Sequence, residues 1–261
     1  MALVEVKSVR DIAKMRKAGK IVATVLKELM AMAQPGVTTA DLDAHAEQQC
    51  AKFGVIPAFK GYYGFPACLC TSLNNEVVHG IPNARRKLKG GDILKIDFGV
   101  IYDGWHGDSC VSVGIGDLSE EAQSLMAVTE AALYEGIAQV RHGVRLQQIS
   151  GAIQDYVERH GFSVVRQYVG HGVGRKLHEE PRIPHFRTAE IPNPTLEAGM
   201  TIAIEPMVNI GHCATRTLAD RWTVVTIDHS LSAQFEHTVL VTQDGYEILT
   251  DRAVTTGVSL D

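Results

Sequence analysis

Apolar residues recur at helical spacing in four stretches of the chain, and this pattern predicts two pairs of helices. The first helix is expected to begin at Ser8, whose side chain can cap it with Asp11 three residues on, and to end before Pro35-Gly36. The second helix is expected from about Thr39 to Gly54. Short apolar runs bounded by turn residues lie between the pairs and predict strands.

The second pair of helices is predicted in the middle of the chain. Ser119 is expected to cap the third helix, which carries acidic residues in its first turn and closes at His142-Gly143. The fourth helix ends at Gly161, and its apolar face is formed by Leu146, Ile149, Ile153 and Val157.

A nearly constant offset relates the two helix pairs. Gly36-Val37 recurs as Gly143-Val144, and Gly54 recurs as Gly161, in each case 107 positions later. The same offset relates three apolar positions, Leu42, Ala46 and Cys50, to Ile149, Ile153 and Val157, and an offset of 108 relates Gly91 and Asp97 to Gly199 and Glu205. Because this period is far too long for a solenoid, it predicts a duplication within one domain (1–261), with αβ halves at 8–115 and 116–250 related by a pseudo-twofold axis.

Composition narrows the class of protein. No apolar run reaches the ~18 residues needed to span a bilayer, and residues 1–7 lack the basic start and apolar stretch of a signal peptide. The odd number of cysteines, 5, argues against a disulfide framework and favours a reducing, cytoplasmic setting. A net charge of −5 provides no electrostatic reason to expect nucleic acid as a partner, and nothing demands more than a monomer.

Three acidic residues stand out because they lie at the ends of apolar, strand-like runs. Asp97 and Glu205 each end such a run, and Glu236 precedes one. A carboxylate there is expensive to bury unless it is paired or coordinates a cation. If Asp97 and Glu205 are equivalent positions of the two halves, their carboxylates approach each other near the axis, where a cation would keep both ionised.

A hairpin is predicted around Asp103-Gly104, which is a strong turn dipeptide between two strand-like runs. Such a hairpin would place the carboxylates of Asp97 and Asp108 side by side. Two ordinary aspartates at a turn or strand edge remain an equal alternative, because most acidic residues are solvated surface groups.

His171 is expected in a glycine-rich loop, 170–174, after a strand-like segment at 163–169. Flanking glycines allow the backbone to bend closely around a ligand. A phosphate-binding loop is disfavoured, because no helix pattern follows and Lys176 lacks the required context. His79 and His178 are further candidates, although a loop histidine is more often structural or solvated.

The combined set is one imidazole and four carboxylates, which suits Mn²⁺ or Fe²⁺ and also allows Co²⁺ or Zn²⁺. Two such ions ~3.5–4 Å apart would activate a water molecule and polarise a carbonyl group. Metal-assisted hydrolysis is therefore the predicted chemistry, and these residues do not specify its substrate. The set is Asp97, Asp108, His171, Glu205 and Glu236.

Five ordered motifs make the chain closely resemble type I methionine aminopeptidases over nearly its whole length: residues 79–82, 97–108, 170–181, 204–207 and 232–237. The resemblance implies an α+β, pita-bread (creatinase/aminopeptidase-like) fold, with two pseudo-twofold-related halves around a central antiparallel sheet. It also implies a cytoplasmic, monomeric metalloaminopeptidase without an N-terminal zinc-binding extension. Such enzymes remove the initiator methionine from nascent polypeptide N-termini near the ribosome when the second residue is small, by attack of a metal-bound hydroxide on the scissile carbonyl.

The resemblance also assigns roles to residues. Asp97, Asp108, His171, Glu205 and Glu236 match the ligands of two divalent ions (Fe, Mn, Co or Zn), with Asp108 and Glu236 bridging and Glu205 as general base; one monovalent cation is a further implied cofactor. His79 and His178 match residues that hold substrate and stabilise the tetrahedral intermediate. The pocket for the methionine side chain is expected to involve Tyr62, Phe65, Cys70 and Trp222. Departures from the common bacterial pattern occur at Phe59, Tyr63, Phe65 and Leu177.

Two other functions stay open at this point. A proline-directed peptidase of the same fold usually carries a large N-terminal domain, for which this chain has no room before its first helix. A non-catalytic binding protein of this fold would typically lack some ligands, whereas all five are present here.

Overall fold

The computed structural model describes residues 4–253, which include four α-helices in two pairs. They are α1 (Val9–Met32), α2 (Thr39–Phe53), α3 (Glu120–Ile137) and α4 (Gln147–Arg159). The predicted capping of α1 is confirmed, since the Ser8 side chain accepts from the Asp11 N–H and Asp11 accepts from Ser8 in return. Ser119 likewise caps α3. No helix in this part of the chain is long and apolar enough to cross a membrane.

The prediction that α3 continues to His142-Gly143 was wrong, because the helix ends at Ile137. The next three backbone N–H groups, at 138–140, still bond to nearby carbonyls, but two groups further on bond to distant segments. The N–H of His142 donates to the carbonyl of Thr242 at 3.1 Å, and that of Gly143 donates to the carbonyl of Leu196 at 2.9 Å. These tertiary hydrogen bonds replace the helical ones.

The strands are short and numerous, and every pairing between them is antiparallel. In chain order they are β1 (Ile56–Pro57), β2 (Leu69–Leu73), β3 (Glu76–Val78), β4 (Ile93–Tyr102), β5 (Trp105–Gly114), β6 (Ser163–Val164), β7 (Gly170–Gly172), β8 (Glu179–Ile183), β9 (Thr201–Ile204), β10 (Met207–Asn209), β11 (Thr215–Thr217), β12 (Val224–Thr226), β13 (Ser232–Gln234), β14 (His237–Val241) and β15 (Tyr246–Ile248). The larger sheets are β1-β4-β2 with β5 beside β4, and β15-β14-β9-β7-β8.

The β4–β5 hairpin is confirmed. Asp103 and Gly104 form its turn with φ values of 48° and 78°, the left-handed region that such a tight turn requires. The register sets Asp97 opposite Cys110 and Asp108 opposite Gly99. The two carboxylates are therefore diagonal neighbours, whereas the sequence suggested a pair directly side by side.

The central strands of the two larger sheets have matching surroundings. β4 begins at Ile93 and lies between β2 and β5, while β9 begins at Thr201 and lies between β7 and β14. The helix pairs α1–α2 and α3–α4 precede these strands in the same order. The division at residues 115 and 116 stays a prediction, and residues 1–3 and 254–261 of the predicted domain lie outside the described residues.

Helix α1 packs closely against β5 and against the residue that follows β15, because a glycine occurs at each contact. A Cβ on Gly107 would lie 2.8 Å from the backbone of Ala18, and a Cβ on Gly19 would lie 2.2 Å from the carbonyl oxygen of Leu249. Neither approach is possible with a larger residue unless the backbone moves. The close packing places the ligand-bearing hairpin directly on α1.

We predict that Gly19→Ala lowers the free energy of unfolding measured in urea. Alanine in a helix interior is favoured over glycine by ~1 kcal/mol, but the overlap with the Leu249 carbonyl costs typically ~1–3 kcal/mol, so the overlap dominates. Gly90→Ala is the matched control, because no atom lies within 4 Å of its added Cβ. A Gly19→Ala protein as stable as the wild type would contradict this packing.

Candidate metal centre

Five elements bring the predicted ligand residues to the end of one cavity. Asp97 lies in β4, Asp108 in β5 and His171 in β7, while Glu205 directly follows β9 and Glu236 directly precedes β14. The side chains therefore come from both of the larger sheets. Residues separated by more than a hundred positions meet because Asp97, Asp108 and His171 lie within strands, and the two glutamates lie beside strand ends, that border the same cavity.

His171 lies in strand β7, not in the loop that the sequence predicted. Its glycine neighbours serve close packing between strands. A Cβ on Gly170 would lie 2.3 Å from the carbonyl oxygen of Ala203, and a Cβ on Gly172 would lie 2.2 Å from that of Glu180. The glycines thus allow β7 to fit between its neighbours with the imidazole facing the carboxylates.

The imidazole of His171 is the centre of the cluster. One ligand atom each from Asp108, His171 and Glu236 lies within 4.8 Å of the other two. Nε2 of His171 is 3.8 Å from Oδ2 of Asp108 and 3.6 Å from Oε1 of Glu205. Nδ1 donates to the carbonyl of Gly172 at 2.9 Å, so the lone pair of a neutral ring is on Nε2, directed toward the acids.

The electrostatics of the cluster fit a divalent cation. Burial and mutual repulsion raise the pKa of Asp108, Glu205 and Glu236 well above the usual range, and burial raises the pKa of Asp97 to about 7. Burial lowers the pKa of His171 to about 3, which keeps the ring neutral. Buried oxygens of Asp97, Asp108 and Glu236 have no hydrogen-bond partner. A cation would neutralise the carboxylates and satisfy these oxygens at once.

Two side chains that the sequence did not single out hold Glu205 in place. Gln234 donates from Nε2 to Oε2 of Glu205 at 3.2 Å, and the Glu205 N–H donates to Nε2 of His185 at 3.1 Å. Gln234 belongs to the 232–237 motif, so its position was visible in the sequence although its partner was not. His185 carried no sequence signal, because its contact depends on the tertiary approach of residues 20 positions apart.

The cavity next to the cluster has a volume of about 260 Å³ and an apolar wall. Phe65 and Trp222 meet edge to face with ring centroids 5.1 Å apart. All six predicted substrate residues line this cavity: Tyr62, Phe65, Cys70, His79, His178 and Trp222. Phe59, Tyr63 and Leu177 line it as well; the sequence marked them as departures from a pattern without placing them in the pocket.

The two remaining histidines lie between the carboxylates and the apolar wall. The His178 ring lies 4.3 Å from that of His171, and its Nδ1 is 2.7 Å from the Tyr62 hydroxyl. His79 has a left-handed backbone, with φ of 61°, and its ring packs edge-on against Trp222. Burial and the nearby His178 lower the pKa of His79 to about 4, so its ring is neutral at pH 7.

Comparisons with known proteins agree with this geometry. Methionine aminopeptidase 1 of Bacillus subtilis is 50% identical over 246 residues, which cover 94% of this chain and 98% of that protein. The crystal structure of methionine aminopeptidase from Thermotoga maritima superposes with a TM-score of 0.93 at 44% identity, covering 95% of this chain and all (100%) of that one. The prolidase of Pyrococcus horikoshii shares the fold alone, with a TM-score of 0.77 at 21% identity over 94% of this chain and 63% of its own.

These likenesses confirm the expected α+β, pita-bread fold. The model of metallopeptidase family M24 matches residues 13–243, a span that contains every carboxylate and histidine of the cluster. Metallopeptidases use a divalent metal, and the unpartnered oxygens of the cluster suit one. The chain therefore belongs to metallopeptidase family M24.

Proposed function

We propose that this protein is a metal-dependent aminopeptidase that removes the initiator methionine from nascent proteins and peptides with a small second residue. One observation carries the proposal: a single cavity joins a cluster of metal-ligand side chains to a narrow apolar wall. Relatives with 45–50% identity that bear the name methionine aminopeptidase support it. An N-terminal residue bound in this cavity would have its side chain on the wall and its peptide bond at the cluster.

The metal ligands in this proposal are the five residues of the cluster, which would hold two divalent ions of Fe, Mn, Co or Zn. Asp108 and Glu236, the two most enclosed carboxylates, are the proposed bridging ligands. When bound, divalent ions polarise a scissile carbonyl and make water a stronger nucleophile at neutral pH. Ionised carboxylates and a neutral imidazole are the protonation states that metal binding requires.

Glu205 is the proposed general base. Its Oε2 is held by Gln234 and its backbone N–H by His185, so the carboxylate is fixed at the cavity. Its Oε1 lies 3.6 Å from Nε2 of His171, inside the cluster where a water would be held, and glutamate is a common general base. In the proposed reaction it accepts a proton from the attacking water and delivers that proton to the leaving amine.

His79 and His178 are proposed to hold the substrate. Both rings border the cavity between the carboxylates and the apolar wall. A neutral ring can donate a hydrogen bond from one nitrogen to the scissile carbonyl as negative charge develops on its oxygen. The hydrogen bond between the Tyr62 hydroxyl and Nδ1 of His178 orients the second ring for this task.

The proposed pocket for the methionine side chain combines Tyr62, Phe65, Cys70 and Trp222 with Phe59 and Leu177. These side chains supply an apolar, polarisable surface suited to a flexible thioether. Phe65, Cys70 and Leu177 are buried, so the pocket is enclosed and selects by shape. None of these wall residues carries a charge that could pair with a charged side chain of a substrate.

The setting in which we propose this reaction is the cytoplasm, with the protein acting as a monomer on nascent N-termini near the ribosome. Nucleic acid and membranes are not among the proposed partners. The resemblance also implies a monovalent cation. A monovalent cation needs converging oxygen ligands, and the converging main-chain carbonyls of Asn74 and Ser232 already accept hydrogen bonds from the Lys95 ammonium, so we assign no such cation.

We predict that the wild type cleaves Met-Ala-Ser in preference to Ala-Pro peptides.

We also predict that Glu205→Gln lowers kcat at least ~10²-fold, because it removes the proton acceptor. The measurement is peptide cleavage at equal metal content, determined by elemental analysis. Glu190→Gln, at an exposed position, is the control and should retain full activity.

Two outcomes would count against these assignments. Preferential cleavage of Ala-Pro peptides would favour a proline-directed peptidase, the activity of the prolidase with the same fold. Unchanged turnover by Glu205→Gln at wild-type metal content would exclude Glu205 as the base.

Removal of metal by a chelator should abolish cleavage and lower the thermal unfolding temperature, because the carboxylates then repel one another. Returning Mn²⁺ to a hundred times its Kd should raise the free energy of unfolding by ~2.7 kcal/mol. Glu236→Ala should reduce this Mn²⁺-dependent increase, and Glu135→Ala, at an exposed site of α3, should not. If neither the chelator nor added Mn²⁺ changes the thermal unfolding temperature, the proposed metal centre is contradicted.

Leu177→Ala should weaken selection for methionine, because it widens the apolar wall. We expect the ratio of kcat/KM for Met-Ala-Ser to that for Phe-Ala-Ser to fall by ~10-fold or more, since each methylene in such a pocket contributes ~10–200-fold. Leu125→Ala removes an equally buried leucine from α3 outside the cavity and should leave the ratio unchanged. The ratio does not depend on the folded fraction, so equal ratios for both variants would exclude Leu177 from the pocket.

A further inference from the structure

Lys95 is a buried lysine that no step of the proposed reaction uses. It lies in β4, two residues before Asp97, with 1% of its surface exposed. Within residues 4–253, no carboxylate oxygen comes within 4.0 Å of its Nζ, the distance that defines an ion pair. An ammonium group buried without a counter-ion is costly unless hydrogen bonds hold it in place. An apolar residue of similar length would fill this space at lower cost.

The partners of Lys95 are two main-chain carbonyl groups. Nζ donates to the oxygen of Asn74 at 2.8 Å and to that of Ser232 at 2.9 Å. The Asn74 oxygen also accepts the Ser232 N–H at 3.0 Å, so the two carbonyls converge from segments far apart in the chain. The nearest acidic groups are otherwise engaged: Glu76 with Arg86, and Asp92 with the Asn74 amide. Converging main-chain carbonyls are typical ligands of a monovalent cation.

Lys95 is also the first of three similar contacts along one segment. The hydroxyl groups of Ser112 and Ser109 donate to the carbonyls of Gln234 and Glu236, at 2.7 and 2.6 Å. Together with Lys95 on Ser232, they bind every second residue of 232–236 to the β4–β5 hairpin. That hairpin carries Asp97 and Asp108, whereas the bound segment carries Gln234 and Glu236. The three contacts therefore set the distance between the ligands of the hairpin and Glu236.

We propose that the Lys95 ammonium acts as a tethered monovalent cation, which holds the segment before Glu236 against the strand of Asp97 without any free Na⁺ or K⁺. Lys95 is thus a positioning residue for the metal centre, and this inference rests on the proposed function. The family resemblance implies a free monovalent cation as a cofactor, whereas here a side chain of the protein supplies a positive charge to main-chain carbonyls.

The test measures Mn²⁺ affinity by calorimetry on metal-stripped protein, in tetramethylammonium chloride and in NaCl, KCl or NH₄Cl of equal ionic strength. We expect wild-type affinity to be the same in all four salts. Lys95→Ala removes the ammonium, keeps the two main-chain carbonyls and opens a space beside them. It should bind Mn²⁺ 10–100-fold more weakly in tetramethylammonium, as is typical when a group that supports a metal ligand is lost, and regain most of the affinity in NH₄Cl, KCl or NaCl.

Lys95→Met tests whether Mn²⁺ affinity depends on the positive charge of the side chain or on its volume. Its side chain fills the space without donating hydrogen bonds, and replacing a buried charge by an apolar group is often neutral or stabilising, so this variant is expected to fold. Its Mn²⁺ affinity should fall as in Lys95→Ala, but no salt should restore it. Lys87→Ala removes an exposed lysine and serves as the control for net charge.

Three results would overturn the proposal. One is a wild-type affinity that drops when Na⁺ and K⁺ are withdrawn. Another is wild-type affinity in Lys95→Met, which would reduce Lys95 to a space-filling role. The third is a loss in Lys95→Ala that no small cation reverses. Because the readout is metal affinity, it stays valid if the protein binds Mn²⁺ but does not cleave Met-Ala-Ser, a result that would count against the proposed function alone.

Discussion

The repulsion among four carboxylates at the end of one cavity is the constraint on which the rest of this structure depends. Burial raises the pKa of all four, and repulsion between the acids adds to the rise at Asp108, Glu205 and Glu236. Buried oxygens of Asp97, Asp108 and Glu236 have no hydrogen-bond partner. An arrangement of this kind is stable only with a cation or with protons taken up in its place. Asp97 and Asp108 lie within strands, and Glu205 and Glu236 lie directly beside strand ends, so the sheets hold the acids together before any ion arrives.

Hydrogen bonds from side chains to the main chain join the β4–β5 hairpin to β13 and β14 at this point. Lys95, Ser109 and Ser112 bind the segment before Glu236, and the Thr238 hydroxyl donates to the carbonyl of Asp108 at 2.7 Å. Each such bond contributes only ~0.5–1.5 kcal/mol to stability. Their effect on geometry is larger. They hold every second residue of the segment, so the segment can take only one position relative to the hairpin. Rigid support of this kind is what a metal centre requires of its surroundings.

Local signals predicted local structure well. The Ser8 capping box and the Asp103-Gly104 turn were visible because the residues that form them are neighbours in the chain. Predictions failed where distant segments intervened. The helix expected to reach His142-Gly143 stops at Ile137, and the N–H groups of His142 and Gly143 bond to residues 242 and 196 instead. His171 was placed in a loop, since a three-residue strand flanked by glycines has no period of its own and forms only between β8 and β9.

By itself the sequence determined which residue types were available for chemistry, the hairpin that carries two of the acids, and the resemblance that suggested methionine as the substrate residue. Only the tertiary structure decided that His185 and Gln234 support Glu205, that Leu177 and Phe59 line the cavity, and that Lys95 lies among main-chain carbonyls. The physical reason is the range of the interactions. A cap or a turn is completed within a few residues, whereas these contacts join positions brought together by strand register and close packing, which no local pattern records.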